Sequence, residues 1–127
     1  MRILQVTNKV PYPIKDGGAI ACMNLARGFS LLGHKVTILS MNTVKHQVKL
    51  EEIPEAIKDL AEFKLIKVPA RISKISALIN LLFSKKPYNA VRFISGPFKT
   101  GLKNLLQENK FDIIQLEGLY VCPYIPL

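Results

Sequence analysis

Cysteine is scarce, acidic residues almost vanish from one third of the chain, and no apolar run is long enough to cross a bilayer. Each shortage removes a class of protein. The two cysteines of the 127 residues, Cys22 and Cys122, lie far apart and form neither a metal-ligand nor a redox spacing, so reduced thiols in the cytoplasm are expected. The longest apolar stretch, Ile75 to Phe83, is interrupted by Ser76 and Asn80, and the first residues are not a charged segment leading into a long apolar one. This pattern predicts neither a membrane span nor an export signal. The dinucleotide fingerprint G-x-G-x-x-G is missing, as is the phosphate loop G-x-x-x-x-G-K-[ST], and the aromatic ribonucleoprotein motif of RNA-binding modules does not occur.

The shortage of acid is local. Residues 1–63 hold eight Lys/Arg against six Asp/Glu, residues 64–110 hold ten against the single Glu108, and residues 111–127 hold none against two. The middle segment therefore carries the whole excess behind the net charge of +9. Such a segment suits either an anionic partner or a solvated face.

What is present reads as one α/β domain over residues 1–127, since a chain of this length with 49% hydrophobic residues can bury a core. Ile3, Leu4 and Val6 form a short apolar strand, the kind buried on both faces of a parallel sheet. Val10-Pro11-Tyr12-Pro13 cannot extend it, because proline removes amide donors. From Gly18 a helical face runs through Cys22, Leu25, Ala26, Phe29 and Leu32, with Asp16 as N-cap and Gly33 as left-handed C-terminal cap. Cys22 is on this pattern a core residue. Lys35–Met41 is the second strand, and the unit from Ile3 to Met41 is a right-handed crossover with parallel strands. Residues 42–51 form a polar loop in which His46 faces solvent; Pro54 opens a short helix, and Phe63–Val68 is the third strand.

Two more helices follow. Ile72, Ile75, Leu78, Ile79, Leu82 and Phe83 recur at helical spacing among Arg71, Lys74, Lys85 and Lys86. Residues 87–95, which include Arg92, form one further turn, and a helix starting at Gly96-Pro97 places Phe98, Leu102, Leu105 and Leu106 on one side. The second apolar stripe covers the sheet; the first either does the same or faces a membrane. Phe111–Glu117 is the fourth strand, which would lie on an unprotected edge unless further strands followed.

This alternation predicts a Rossmann-like, doubly wound parallel sheet with strand 1 between strands 2 and 4. Strands 1 and 4 then flank the point where helices depart to opposite faces and a crevice opens above the carboxyl ends. Loop 8–18 and Glu117 should face each other there. Gly17 and Gly18 permit close approach to the backbone, and the first amides of the helix would favour an anion by about 0.3 to 1 kcal/mol. A tight turn is the simpler use of the same glycine pair.

The stretches R-I-L-Q-V-T-N-K-V-P-Y-P-I-K-D-G-G-A, L-G-H-K-V-T-I-L-S and F-D-I-I-Q-L-E-G together resemble the N-terminal half of a family 4 glycosyltransferase of the GT-B fold. The resemblance covers essentially the whole chain and is most specific at Pro13 to Gly18, Leu32 to Val36 and Phe111 to Glu117. It implies an acceptor-side domain whose cleft is completed by a second, nucleotide-binding domain. It further implies sugar transfer with retention from a nucleotide-sugar donor to a saccharide or lipid-linked acceptor, with no cofactor and no bound metal. Gly17 and Gly18 match the family's glycine-rich loop near the donor phosphates, with Lys15 and Asp16 as further candidates. Glu117 stands where many members carry a histidine near the transferred sugar, and a carboxylate there could bind sugar hydroxyls or support an oxocarbenium-like transition state.

The resemblance also implies a missing part, because the glutamate pair of the donor-binding domain has no counterpart here. The chain is expected to be an incomplete domain, inactive alone, with its own C-terminal domain as a partner. The basic residues Arg71, Lys74, Lys85, Lys86 and Arg92 would give weak attachment to the anionic inner face of a membrane, each contributing about 1 kcal/mol. Two other classes share parts of the pattern. A flavodoxin-like regulatory or binding domain would carry an acidic cluster at its strand ends in place of the glycine pair. An RNA-binding module would explain the charge, but here the basic residues sit on amphipathic helices.

Overall fold

The computed structural model describes residues 1–70, 73–84 and 87–125, apart from the side chains of residues 74, 76, 77 and 89. Arg71, Ile72, Lys85 and Lys86 lie outside the described residues, as does the side chain of Lys74. The element order is β1 (Arg2–Thr7), α1 (Gly17–Leu31), β2 (Lys35–Thr43), α2 (Glu55–Lys58), β3 (Glu62–Val68), α3 (Lys74–Phe83), α4 (Tyr88–Val91), α5 (Gly96–Glu108) and β4 (Ile113–Glu117). Short 3-10 segments occupy Val44–His46, Leu50–Glu52 and Leu119–Tyr124.

The strands form one all-parallel sheet in the order β3-β2-β1-β4. The fold is therefore α/β and Rossmann-like, with β1 paired on both sides. Parallel neighbours need long crossovers, and right-handed crossovers place successive helices on opposite faces according to the direction in which the order runs. One face holds Leu4, Val6, Leu39, Met41 and Val68 against Phe93, Phe98, Leu102, Leu105, Val121 and Tyr124. The other packs Val36, Ile38 and Phe63 against Met23 and Ala26 of α1, closed by Val10, Val48, Ile53 and Ala61. Both β1 faces are thus covered, with Ile3, Leu4, Gln5 and Val6 all fully buried.

Three local expectations are revised. The buried stripe of α1 is Ala19, Cys22, Met23 and Ala26, while Leu25 and Leu32 are exposed. The spacing of three and four is retained, but the stripe is rotated by one residue toward Met23, which reaches the β2 side of the sheet. Second, β2 continues through Asn42 and Thr43, both buried, because the Asn42 side chain takes over the hydrogen bonds of the loop. Its Nδ2 donates to the Val48 carbonyl at 2.6 Å and its Oδ1 accepts from the Val48 amide at 3.0 Å. Third, β4 begins at Ile113 and not at Phe111, and the residues after it turn back in a 3-10 segment that inserts Val121 and Tyr124 into the core.

The C-terminal insertion holds the segment before α5. Ser95 caps that helix, its Oγ accepting from the Phe98 amide at 3.4 Å, and Pro97 sits in the first turn where a missing amide costs little. The Tyr124 hydroxyl accepts from the Ser95 amide and donates to the Phe93 carbonyl, both at 2.7 Å, and its ring meets Phe98 edge-on at 5.1 Å. Burial pushes the phenol above its ordinary pKa, so it stays protonated and can donate. β4 ends the sheet, with Ile113 and Ile114 both about half exposed on its two faces.

Tyr124→Phe keeps the ring but strands the Ser95 amide and the Phe93 carbonyl. It should lower unfolding free energy by about 1–3 kcal/mol in urea denaturation with an unchanged m value. A loss below about 0.5 kcal/mol would mean that water replaces the phenol.

Candidate functional site

The crevice begins where β1 ends. Thr7 is in register with Ser40 of β2 on one side and Glu117 of β4 on the other, so these three residues define a common level at the carboxyl edge. The Thr7 and Ser40 hydroxyls are 2.7 Å apart and buried, and Thr7 Oγ1 also donates to the Lys9 carbonyl at 2.7 Å, bending the chain out of the sheet. Asn8 and Lys9 are the first residues past that bend.

A cavity of about 160 Å³ opens there, lined by Thr7, Asn8 and Lys9 from the loop, Gly18 and Cys22 from α1, and Glu117 and Gly118 from the far end of the chain. The expected opposition of the glycine loop and Glu117 is thus present in the geometry. The roles are distributed unevenly, however. Of the glycine pair only Gly18 lines the cavity; Gly17 is exposed, with nothing near the position of a Cβ, and Lys15 is exposed outside it. Asp16 is the α1 N-cap, its Oδ1 accepting from the Ala19 amide at 3.0 Å, and it forms an ion pair with Lys9.

This cap changes the electrostatics expected of the helix start. The hydrogen bond from Lys9 and then the amide of Ala19 hold the Asp16 carboxyl below the usual carboxylate range. The first turn's positive end is therefore already matched by the protein's own carboxylate, and less of it remains for a ligand anion.

Glu117 is half-buried and accepts a 2.5 Å hydrogen bond from Gln115 Nε2, which holds one carboxylate oxygen while the cavity meets the residue. Gly118 follows with φ +95°, a conformation in which a side chain is strained, so the turn after β4 needs glycine. Two strand positions below, the fully buried Gln5 lies in register with Gln115, and neither of its amide atoms has a hydrogen-bond partner. Cys22 closes the floor. Burial, with a smaller contribution from the Glu117 charge, pushes its thiol up to about 12. Cys22 and Cys122 are both free.

Lys74 opens α3, whereas Arg92 follows α4 with its guanidinium 4.8 Å from the centre of the Phe93 ring. The α3 stripe does not cover the sheet: Ile75, Leu82 and Phe83 are 73, 66 and 84% exposed, and Leu78, Ile79 and Leu81 are exposed as well. Among the described residues no helix is long and apolar enough to cross a membrane, and no three His, Cys, Asp or Glu side chains gather as metal ligands.

Asn8 and Lys9 line the cavity as part of the loop 8–18 expected there, whereas Cys22 and Gly118 were not expected as cavity residues. A signal for Cys22 was present, since it lies four residues after Gly18 on the same helix face. The thiol chemistry is directly testable. At pH 8 iodoacetamide should alkylate the half-buried Cys122 at least about tenfold faster than Cys22, as read by peptide mass spectrometry, because only a thiolate in contact with solvent reacts. Equal rates would show that the floor of the cavity opens readily.

In comparisons with known proteins, no family model, no curated protein and no solved structure matches the chain.

Proposed function

We propose that this chain forms the acceptor-side part of a retaining glycosyltransferase, moving a sugar from a nucleotide-sugar donor to a saccharide or lipid-linked acceptor. The observation that carries the reading is that Gly18 and Glu117, from opposite ends of the chain, line one cavity at the carboxyl edge between β1 and β4. Ligands of open α/β sheets bind at this switch point. In the proposed reaction Glu117 accepts hydrogen bonds from sugar hydroxyls and stabilises positive charge developing at the anomeric carbon. Gln115 keeps one of its oxygens oriented. Gly18, on the cavity wall, puts no side chain in the way of a sugar passing close to the backbone. The donor nucleotide and the glutamate pair belong to a second domain across the cleft, and neither cofactor nor metal takes part. A flavodoxin-like regulatory role is the competing reading, but of the two described acids beside Gly18 one, Asp16, is used as the α1 cap and is paired with Lys9, leaving Glu117 alone where that role calls for an acidic cluster.

The same reading gives the exposed α3 an occupant. Six large apolar side chains stand exposed on one ten-residue helix, inside a segment with ten cations and one acid. That combination fits a helix lying in the interface of an anionic bilayer, its apolar side chains among the headgroups and the cations above them. A cytoplasmic protein held at the inner face of a membrane would meet lipid-linked acceptors there.

Two measurements test these proposals. Saccharide or lipid-linked acceptor analogues should shift the amide resonances of Asn8, Lys9, Gly18 and Gly118 but not those of Lys99 and Lys103 on α5. Glu117→Ala should weaken that binding about tenfold or more, the value of a hydrogen bond to a charged group. Silence of these resonances toward every saccharide removes the glycosyltransferase reading. In vesicle co-sedimentation the chain should bind anionic but not neutral liposomes, and Leu82→Ser/Phe83→Ser should lose most of that binding; equal binding to both, or to neither, removes the membrane role.

A further inference from the structure

A second cavity, of about 210 Å³, adjoins the first and shares Asn8 and Lys9 with it. It lies over the carboxyl ends of β2 and β3, and its wall brings together Lys9, Lys45, His46 and Arg92 with no Asp or Glu. Lys9 is neutralised by Asp16, but Lys45, His46 and Arg92 have no ion pair among the described residues. Arg92 is the most informative of them. Its Nε is buried and lacks any hydrogen-bond partner, although a buried guanidinium N–H left unpaired is costly.

The surrounding structure holds these groups in place. Arg92 stacks on Phe93, whose ring stacks in turn on Tyr120 at 4.7 Å, and Tyr120 itself lines the cavity. The Phe93 carbonyl is fixed by Tyr124, and the loop carrying Lys45 and His46 is fixed by the two hydrogen bonds between Asn42 and Val48. Basic residues from elements distant in sequence line one cavity of limited size with no acid, and the buried Nε of one of them, Arg92, is unsatisfied.

We propose that this second cavity binds a phosphoryl group, with the Arg92 guanidinium as its principal donor and Lys45 and His46 completing the charge. Arginine suits the role because its planar fork matches phosphate oxygens. On the glycosyltransferase reading, which this deepens, the group is the phosphate or diphosphate of the acceptor. It anchors the acceptor beside Asn8 and Lys9 so that the remainder reaches the cavity of Glu117. Phosphate binding itself does not depend on that reading.

The test is a titration of the whole chain at low ionic strength with inorganic phosphate, inorganic pyrophosphate, a sugar 1-phosphate and a short-chain alkyl diphosphate. It is followed through the resonances of Lys45, His46 and the Arg92 Nε–H. All three residues should shift together, and Arg92→Gln and Lys45→Gln should each weaken binding about tenfold or more, whereas Lys99→Gln on α5 should not. Lys45 is exposed, so its variant is expected to fold whatever becomes of Arg92, and a melting curve checks both. Tighter binding of the alkyl diphosphate identifies a lipid-borne phosphate as the source, and tighter binding of the sugar phosphate a soluble one. Absence of shifts with all four anions, or variants that bind as tightly as the parent, overturns the proposal. Phosphate binding combined with silence toward saccharides at Gly18 and Gly118 would keep this site and discard the glycosyltransferase reading.

Discussion

The structure depends on β1 being paired along both edges. Because the order β3-β2-β1-β4 reverses direction at β1, the crossover to β2 covers one face of the sheet and the elements leading to β4 cover the other. The connections therefore part above the end of β1, and a gap opens between them. Thr7 lies at the centre of that edge, level with Ser40 and Glu117, and its hydroxyl turns the chain toward Asn8 and Lys9. Moving β4 away from β1 would leave a loop with a glycine pair and no opposing carboxylate.

Charge divides the crevice into two halves. Around Gly18, the α1 start is balanced by Asp16, and Asp16 by Lys9, so that region is nearly neutral apart from Glu117. Over β2 and β3, cations face a cavity with no acid. A substrate bearing a neutral sugar at one end and a phosphoryl group at the other would match both halves. The arrangement relies on Tyr124, which fixes the backbone on which Arg92 and Phe93 are carried.

The α3 helix is the part of the fold that the sheet does not use. Phe98, Leu102 and Leu105 of α5, with Val121 and Tyr124, fill one face, and Met23 and Ala26 of α1 fill most of the other. The apolar α3 lies beyond these layers, and its side chains remain exposed. Exposed apolar groups in such number are unusual on a protein surface.

The sequence by itself determined the class of fold, the strand order around β1, the cap at Asp16 and the left-handed Gly33, because these follow from apolar periodicity, crossover handedness and local backbone chemistry. It also brought Gly18 and Glu117 to one edge, since the ends of parallel neighbours are aligned by register alone. Tertiary structure decided the rest. Two helices with equally regular apolar stripes received opposite fates, α5 buried and α3 exposed, because periodicity reports that a face is apolar and not whether a surface is free to receive it. Arg92 and His46 line a common cavity, although one was read with a basic run and the other, as expected, is an exposed loop residue. No sequence spacing relates these two residues. They meet only because the Asn42 hydrogen bonds fold one loop, and the Tyr124 hydroxyl holds the other, over the ends of the same strands.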